Sequence, residues 1–281
     1  MATRNDRRKA IRKRRIFIVF CLLILALFIA LIVLIVGAVK GTKKEDDKQQ
    51  TSNSAVSSVQ SEVKKDDEPQ YVTLGEYTLD ANYKRTLLVN AQNPLPDGYD
   101  YTSNLTVIPQ KYHNGQLDQI NKDVWPYMQA MIENAWKDGV QLYVWSPYRS
   151  YDTQKMLFDN QVKRCLDKGI SSDKAEDEAA TVVARPATSE HNTGLCADFN
   201  MASDRFESTE MYDWMCKNAE NYGFILRYPN DKMDITGVIY ESWHWRFVGI
   251  NTAKEMNKLG LTLEEYVEKK GLKPQPESEL K

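Results

Sequence analysis

The sequence predicts an α+β domain, a small antiparallel sheet with flanking helices. Two observations carry that expectation. Apolar residues recur at helical spacing in well-separated stretches, and the strand-like stretches are short and scattered instead of alternating regularly with helices as a parallel sheet requires. About two hundred residues follow the first 70, enough for one domain with a substantial core, and no internal repeat divides them.

The chain has 281 residues and begins with a basic segment, 1–15, holding Arg4, Arg7, Arg8, Lys9, Arg12, Lys13, Arg14 and Arg15. Ile16 to Val39 is then apolar without a charged residue. At about 1.5 Å per residue it is long enough to cross a hydrocarbon core of about 30 Å. We expect a retained transmembrane anchor, since the apolar region of a cleaved secretory signal is usually much shorter. The heavier basic flank stays in the cytoplasm, which places the C-terminal bulk outside. Residues 40–70 are rich in Lys, Asp, Glu, Ser and Gln without apolar periodicity, so they read as a solvated linker. The folded domain is expected over 71–281.

Within that domain, Leu87 to Asn90 is a short apolar run before a Pro-rich connection, Asn93 to Gly98. Asn121 to Lys137 places Val124, Met128, Met131, Ile132 and Ala135 at helical spacing, with Pro126 near its start and Gly139 at its end. Gln141 to Trp145 reads as a strand. Further helices are expected from Tyr151 to Lys168 and from Ser172 to Ala184, the latter stopped before Pro186. A strand from Leu195 to Asn200, a helix from Thr209 to Asn221 and a strand from Phe224 to Leu226 follow. Glu241 to Phe247 alternates large apolar and polar residues at period two, as a half-buried strand does. Thr262-Leu263-Glu264-Glu265 is a capping box that opens a last helix running to about Lys270.

Two of these stretches hold the side chains with chemistry. The chain has only three histidines. His113 sits in a turn-like Tyr-His-Asn-Gly stretch and reads as structural. His191 and Asp198 flank Gly194, whose backbone freedom permits a turn that lets them converge, and His244 lies in the period-two strand. Together they supply the three ligands of a catalytic zinc, which leaves one coordination position for water. Glu241 is the candidate general base. Because Glu241 and His244 would face opposite sides of one continuous strand, either the strand begins after Glu241 or it carries a bulge. Arg149, on the turn after the Gln141 strand, suits bidentate recognition of a terminal carboxylate or stabilisation of an oxyanion. Gln154 and Ser189 are possible hydrogen-bonding neighbours of a substrate. Trp243 and Trp245 read first as core and pocket-wall packing.

The spacing Ser189-x-His191-x-x-Gly194, then Asp198, then Glu241-x-Trp243-His244 closely resembles the VanY-type D-alanyl-D-alanine carboxypeptidases, a zinc peptidase family with a Hedgehog/D,D-peptidase-like α+β fold. Ser146-Pro147-Tyr148-Arg149-Ser150 with Gln154, and Leu88-Val89-Asn90 with Asn93-Pro94-Leu95-Pro96, extend the resemblance from about Leu87 to Gly249. It implies Zn2+ held by His191, Asp198 and His244, Glu241 as base, Arg149 in contact with substrate, and peptidoglycan stem peptides as substrate. The chain departs from the family at Cys196, where a small Ala is usual. Removal of the terminal D-alanine from pentapeptide stems is the expected reaction, with L,D-cleavage of tetrapeptides as the enzymatic alternative. A wall-binding module with structural zinc is the alternative from another class. A serine peptidase reading rests on Ser61-x-x-Lys64, which lies in the linker without companion motifs. Cys165, Cys196 and Cys216 are odd in number, so full internal pairing is excluded, although a Cys196–Cys216 bridge is open. The net charge of −2 and the lack of a basic stripe point away from nucleic acid, and nothing specifies a protein partner.

Overall fold

The structure, a computed structural model, describes residues 70–280. The expected basic segment, membrane span, nearly all of the linker and the Ser61–Lys64 match lie outside the described residues. Among the described residues no helix is long and apolar enough to cross a membrane.

The α+β expectation holds. A hairpin of β1 (Tyr71–Leu74) and β2 (Tyr77–Asp80) and a second antiparallel pair, β3 (Leu105–Val107) with β4 (Gln119–Asn121), accompany a four-stranded sheet. That sheet contains β5 (Val144–Ser146), β6 (Cys196–Phe199), β7 (Phe224–Leu226) and β8 (His244–Phe247) in the order β5-β6-β8-β7, antiparallel throughout. The helices are α1 (Trp125–Lys137), α2 (Tyr151–Asp167), α3 (Ser172–Ala180), α4 (Glu210–Asn218), α5 (Met233–Thr236), α6 (Ile250–Leu259) and α7 (Leu263–Lys269).

Period two divides the central sheet into two unlike faces. Val144, Ala197, Phe199, Trp245 and Phe247 point into the main core with Met128, Met131, Ile132 and Ala135 of α1, and Tyr127 of α1 meets Phe247 at 4.8 Å between ring centres. The opposite face carries Asp198 and His244, which pair across β6 and β8, and Ser146, which pairs with Asp198 because a register shift in β5 after the core-facing Val144 breaks the period-two alternation there. Burial of the apolar face therefore fixes which way the polar row points.

Local chemistry sets most of the element ends. Ser150 caps α2 by accepting from Thr153 N, Thr209 caps α4 by accepting from Tyr212 N, and Thr262 and Glu265 form the expected capping box of α7. The helix expected from Asn121 begins four residues later, at Trp125, because Asn121 is paired with Leu105 in β4. The helix expected to reach Ala184 ends at Ala180. The one expected to reach Asn221 tightens into a 3-10 turn, Ala219–Tyr222, before Gly223. The Gln141 strand is displaced to Val144–Ser146. The apolar run Leu87 to Val89 is buried and belongs to no strand. No helix was expected at α6, which follows Gly249 without a side-chain cap.

Candidate active site

The polar row of the sheet supplies two of the proposed ligands, and a turn brings the third to it. His191 lies in a single 3-10 turn, Glu190–Thr193, closed by Gly194 at φ +67°. A Cβ at Gly194 would come within 2.8 Å of the Asn121 amide nitrogen, so both the backbone angle and the space require glycine. Gly194→Ala is expected to destabilise the fold by about 1–2 kcal/mol from backbone strain alone, with further loss from displacement of β4. A shift of the urea midpoint at constant slope checks it.

His191, Asp198 and His244 converge, each less than a twentieth exposed. Nε2 of His191 lies 3.2 Å from Nδ1 of His244, and Oδ1 of Asp198 lies 3.4 Å and 3.2 Å from those two nitrogens. The other nitrogen of His191, Nδ1, is 2.6 Å from the Pro147 carbonyl. That contact makes Nδ1 the donor and leaves the Nε2 lone pair facing His244. Two imidazole nitrogens and a carboxylate oxygen directed at one point suit a divalent cation of borderline softness. Glu241 is brought to the same place, its Oε2 lying 3.7 Å from Nδ1 of His244. It does so because β8 begins at His244 and Glu241 lies in the turn before it, with His244 N donating to Glu241 O. No bulge is needed.

Cys196 shares the sheet face of Asp198, and its Sγ, with the nearest ring nitrogens of His191 and His244, falls in a cluster spanning at most 4.8 Å. We take Asp198 as the third ligand, since its Oδ1 lies 3.4 Å and 3.2 Å from the two imidazole nitrogens and the residue lines the cleft, whereas Cys196 is fully buried and does not line it. Cys165, Cys196 and Cys216 are all free thiols, so no Cys196–Cys216 bridge forms.

Burial raises the Asp198 carboxyl, but His191 and Arg149 outweigh it and hold the group well below the usual carboxylate range. Burial alone would lower both histidines. Arg149 adds to this at His191, where Cys196 and Asp198 overcome both, and Cys196, Asp198 and Glu190 overcome burial at His244, so both imidazole pKa values are raised. Burial also raises the Cys196 thiol, yet the adjacent imidazoles bring it down to about 7. At Glu241 burial dominates and pushes the carboxyl up to about 7, against the pull of His244.

Arg149 is committed more fully than the sequence suggested. Its Nη2 donates to Asp198 Oδ2 at 2.6 Å, Nε to Ser146 Oγ at 2.9 Å and Nη1 to Gln154 Oε1 at 3.4 Å. A guanidinium has five N–H groups, so part of the fork stays open toward the cleft. Gln154 is correspondingly fixed by donating to Ala184 O at 2.7 Å, and acts here as a brace for Arg149. Ser189 is buried and lines the cleft. Trp245 is in the core as expected, and Trp243 forms cleft wall. His113 is remote from the site, its Nδ1 3.2 Å from Gly115 O. The cleft is open, about 490 Å³ in volume, and also lined by Leu157, Arg164, Tyr228 and Ile239.

Sequence reasoning missed a buried ion network directly behind the ligands. Glu190, Arg227 and Arg246 have fully buried side chains. Glu190 Oε1 accepts from Arg227 Nε at 2.8 Å and from Arg246 Nη1 at 2.6 Å, and Arg227 also forms a two-bond fork with Glu264 of α7. The available signal was Arg246, which at period two shares the buried row of His244.

Comparison with known proteins bears on the family. The VanY family profile, described as D-alanyl-D-alanine carboxypeptidase, matches residues 117–250. A D-alanyl-D-alanine carboxypeptidase of Enterococcus faecalis is 41% identical over 181 residues, 64% of this chain and 65% of that protein. The match thus spans slightly under two thirds of the length of that relative. Among solved structures, a vancomycin resistance D,D-pentapeptidase VanY from a VanB-type cassette, a point mutant in complex with Zn(II), superposes with a TM-score of 0.56 at 41% identity, covering 65% of this chain and 98% of that one. The LdcB LD-carboxypeptidase superposes with a TM-score of 0.58 at 37% identity, covering 73% and 95%. With the motif, the fold and a solved relative covered almost end to end in agreement, the chain belongs to the VanY family.

Proposed function

We propose that this protein is a membrane-anchored, zinc-dependent carboxypeptidase that removes the C-terminal D-alanine from peptidoglycan stem peptides. The observation that carries the reading is the convergence of His191 Nε2, Asp198 Oδ1 and His244 Nδ1 within 3.4 Å of one another, beside the buried carboxylate of Glu241 in one cleft. Zinc bound to those three atoms would polarise the scissile carbonyl and make water nucleophilic near neutral pH. Glu241 takes the proton of the attacking water and delivers it to the leaving amine. Arg149 does two jobs: Nη2 orients Asp198, and its remaining N–H groups receive the terminal carboxylate or the developing oxyanion. Tyr228 and Trp243 wall the cleft and limit water beside the reacting bond. A non-catalytic module would have no use for a buried carboxylate held beside the ligand cluster in an open cleft.

Anchoring is supported by the apolar run from Ile16 to Val39 and its basic flank, which place the domain outside the cytoplasm with wall peptides in reach through the linker. The likeness to an LD-carboxypeptidase favours one second reading, cleavage of tetrapeptide stems. Mass spectrometry of muramyl pentapeptide and tetrapeptide after incubation with the protein separates the two. Loss of alanine from the pentapeptide is expected; loss from the tetrapeptide alone establishes the L,D reaction, and cleavage of neither refutes both.

The protonated histidines set the pH dependence of metal uptake. Their pKa values are raised, so zinc must displace protons that are held more firmly as pH falls. Apparent zinc affinity should therefore weaken on acidification, by up to about tenfold per pH unit for each proton displaced. Chelator competition between about pH 6 and pH 8 checks the sign; affinity independent of pH contradicts it.

A further inference from the structure

Three buried side-chain polar atoms lack a hydrogen-bond partner among the described residues: Oε2 of Glu190, Oγ of Ser242 and Nε2 of His244. Two of the three face each other, Glu190 Oε2 and His244 Nε2, at 3.6 Å. Closure of about half an ångström brings such a pair to ordinary hydrogen-bond length. We infer that Glu190 is the positioning residue of His244, accepting its Nε2–H and so leaving the Nδ1 lone pair for the metal.

The arrangement around Glu190 favours this role over simple charge pairing. Both buried guanidinium groups are satisfied on one oxygen, Oε1, at 2.8 Å and 2.6 Å. An ion cluster with no other task would spread two cations over both carboxylate oxygens. Here Oε2 is kept apart and aimed at the imidazole. Arg246 is itself locked by donating to Leu87 O at 2.6 Å and to Phe247 O at 3.0 Å, and Arg227 by its fork with Glu264. The carboxylate therefore has little freedom to move.

His191 is backed in the same way by a different group, the Pro147 carbonyl at Nδ1. The two histidines thus offer opposite ring nitrogens, Nε2 from His191 and Nδ1 from His244, and each has its far nitrogen turned to an acceptor. Such backing of ligands fixes the tautomer and raises ligand basicity. Glu190 adjoins His191 in the chain but serves His244 across the sheet, so one short turn would organise both imidazoles.

This inference rests on the metal reading, and the test separates the two. Zinc affinity of the full chain, in detergent, is measured by chelator competition for the wild type, Glu190→Gln and Glu264→Gln, together with thermal midpoints. Glutamine keeps the shape but has one acceptor oxygen. With that oxygen given to the guanidinium groups, its amide N–H turns toward His244 Nε2 and favours the wrong tautomer. Glu190→Gln should lose about 10–100-fold in zinc affinity. Glu264→Gln, which removes a partner of Arg227 without facing His244, should lower the midpoint and leave zinc affinity unchanged. Wild-type affinity in Glu190→Gln, or equal loss in both variants, overturns the role. A wild type that binds no zinc overturns the metal reading itself and this inference with it.

Nitrogen-15 NMR of the zinc-loaded wild type needs no variant. A downfield, slowly exchanging Hε2 on His244 is expected, and a rapidly exchanging one at an ordinary shift overturns the proposal even if Glu190→Gln fails to fold.

Discussion

Glu241→Ala should lower kcat by about 10²–10⁴-fold, the usual contribution of a positioned acid–base group, while the protein still takes up zinc. Both halves follow from where the carboxylate sits. Its Oε2 is 3.7 Å from a ligand nitrogen, close enough to reach a water held beside the ligands, yet it falls outside the tighter triangle formed by His191, Asp198 and His244. Its carboxyl is raised to about 7 by burial, and a neighbouring dication opposes that rise by favouring the ionised form. The acid limb of the kcat/KM profile should accordingly lie below about 7 when zinc is bound, with activity lost as pH falls and the base protonates. Steady-state kinetics with zinc analysis of the purified variant checks the claim. Loss of metal together with activity would make Glu241 a ligand, and retention of activity would remove it from the reaction.

Stripping the metal should abolish turnover completely, and added zinc should restore it, because no other group in the cleft supplies a comparable electrophile for the scissile carbonyl. The metal-free domain is expected to stay folded. Asp198 keeps its bond to Arg149, His191 keeps its bond to Pro147, and the histidine protons offset the carboxylate charge. Zinc should nevertheless raise stability by mass action, by about 2.7 kcal/mol at a hundredfold excess over Kd. Melting curves with and without chelator, read beside activity, test both parts. Chelator-insensitive activity would refute the zinc mechanism, and inhibition by a β-lactam would revive the serine alternative at Ser61.

His191, Asp198, Glu241 and His244 were legible as candidate site residues because each of the two motifs that hold them is short, and α1 and α7 because helical period and a capping box are local too. Arg149 was legible as a site residue, but its bond to Asp198 was not, since it depends on the register of β5 against β6. The Glu190–Arg227–Arg246–Glu264 network was missed for a related reason. Charged residues are read as solvent-facing by default, and only the meeting of four separate segments reveals that these are mutually neutralised. The β1–β2 hairpin turns on Gly75 and Glu76 with Gly75 at φ +62°; beside the polar linker its short alternation was too weak to notice.

The single row of Ser146, Asp198 and His244 subjects this enzyme family member to a rule of parity. Adding or removing one residue within β6 would exchange odd for even positions, presenting Ala197 and Phe199 to the cleft and driving Cys196 and Asp198 into the apolar core. A change of two residues would restore the facing and merely slide the row. Length variation should therefore be fatal by ones inside these strands, β7 included, and tolerated in the surface turns between Asn200 and Tyr240 that lie outside β7 and follow no sheet register.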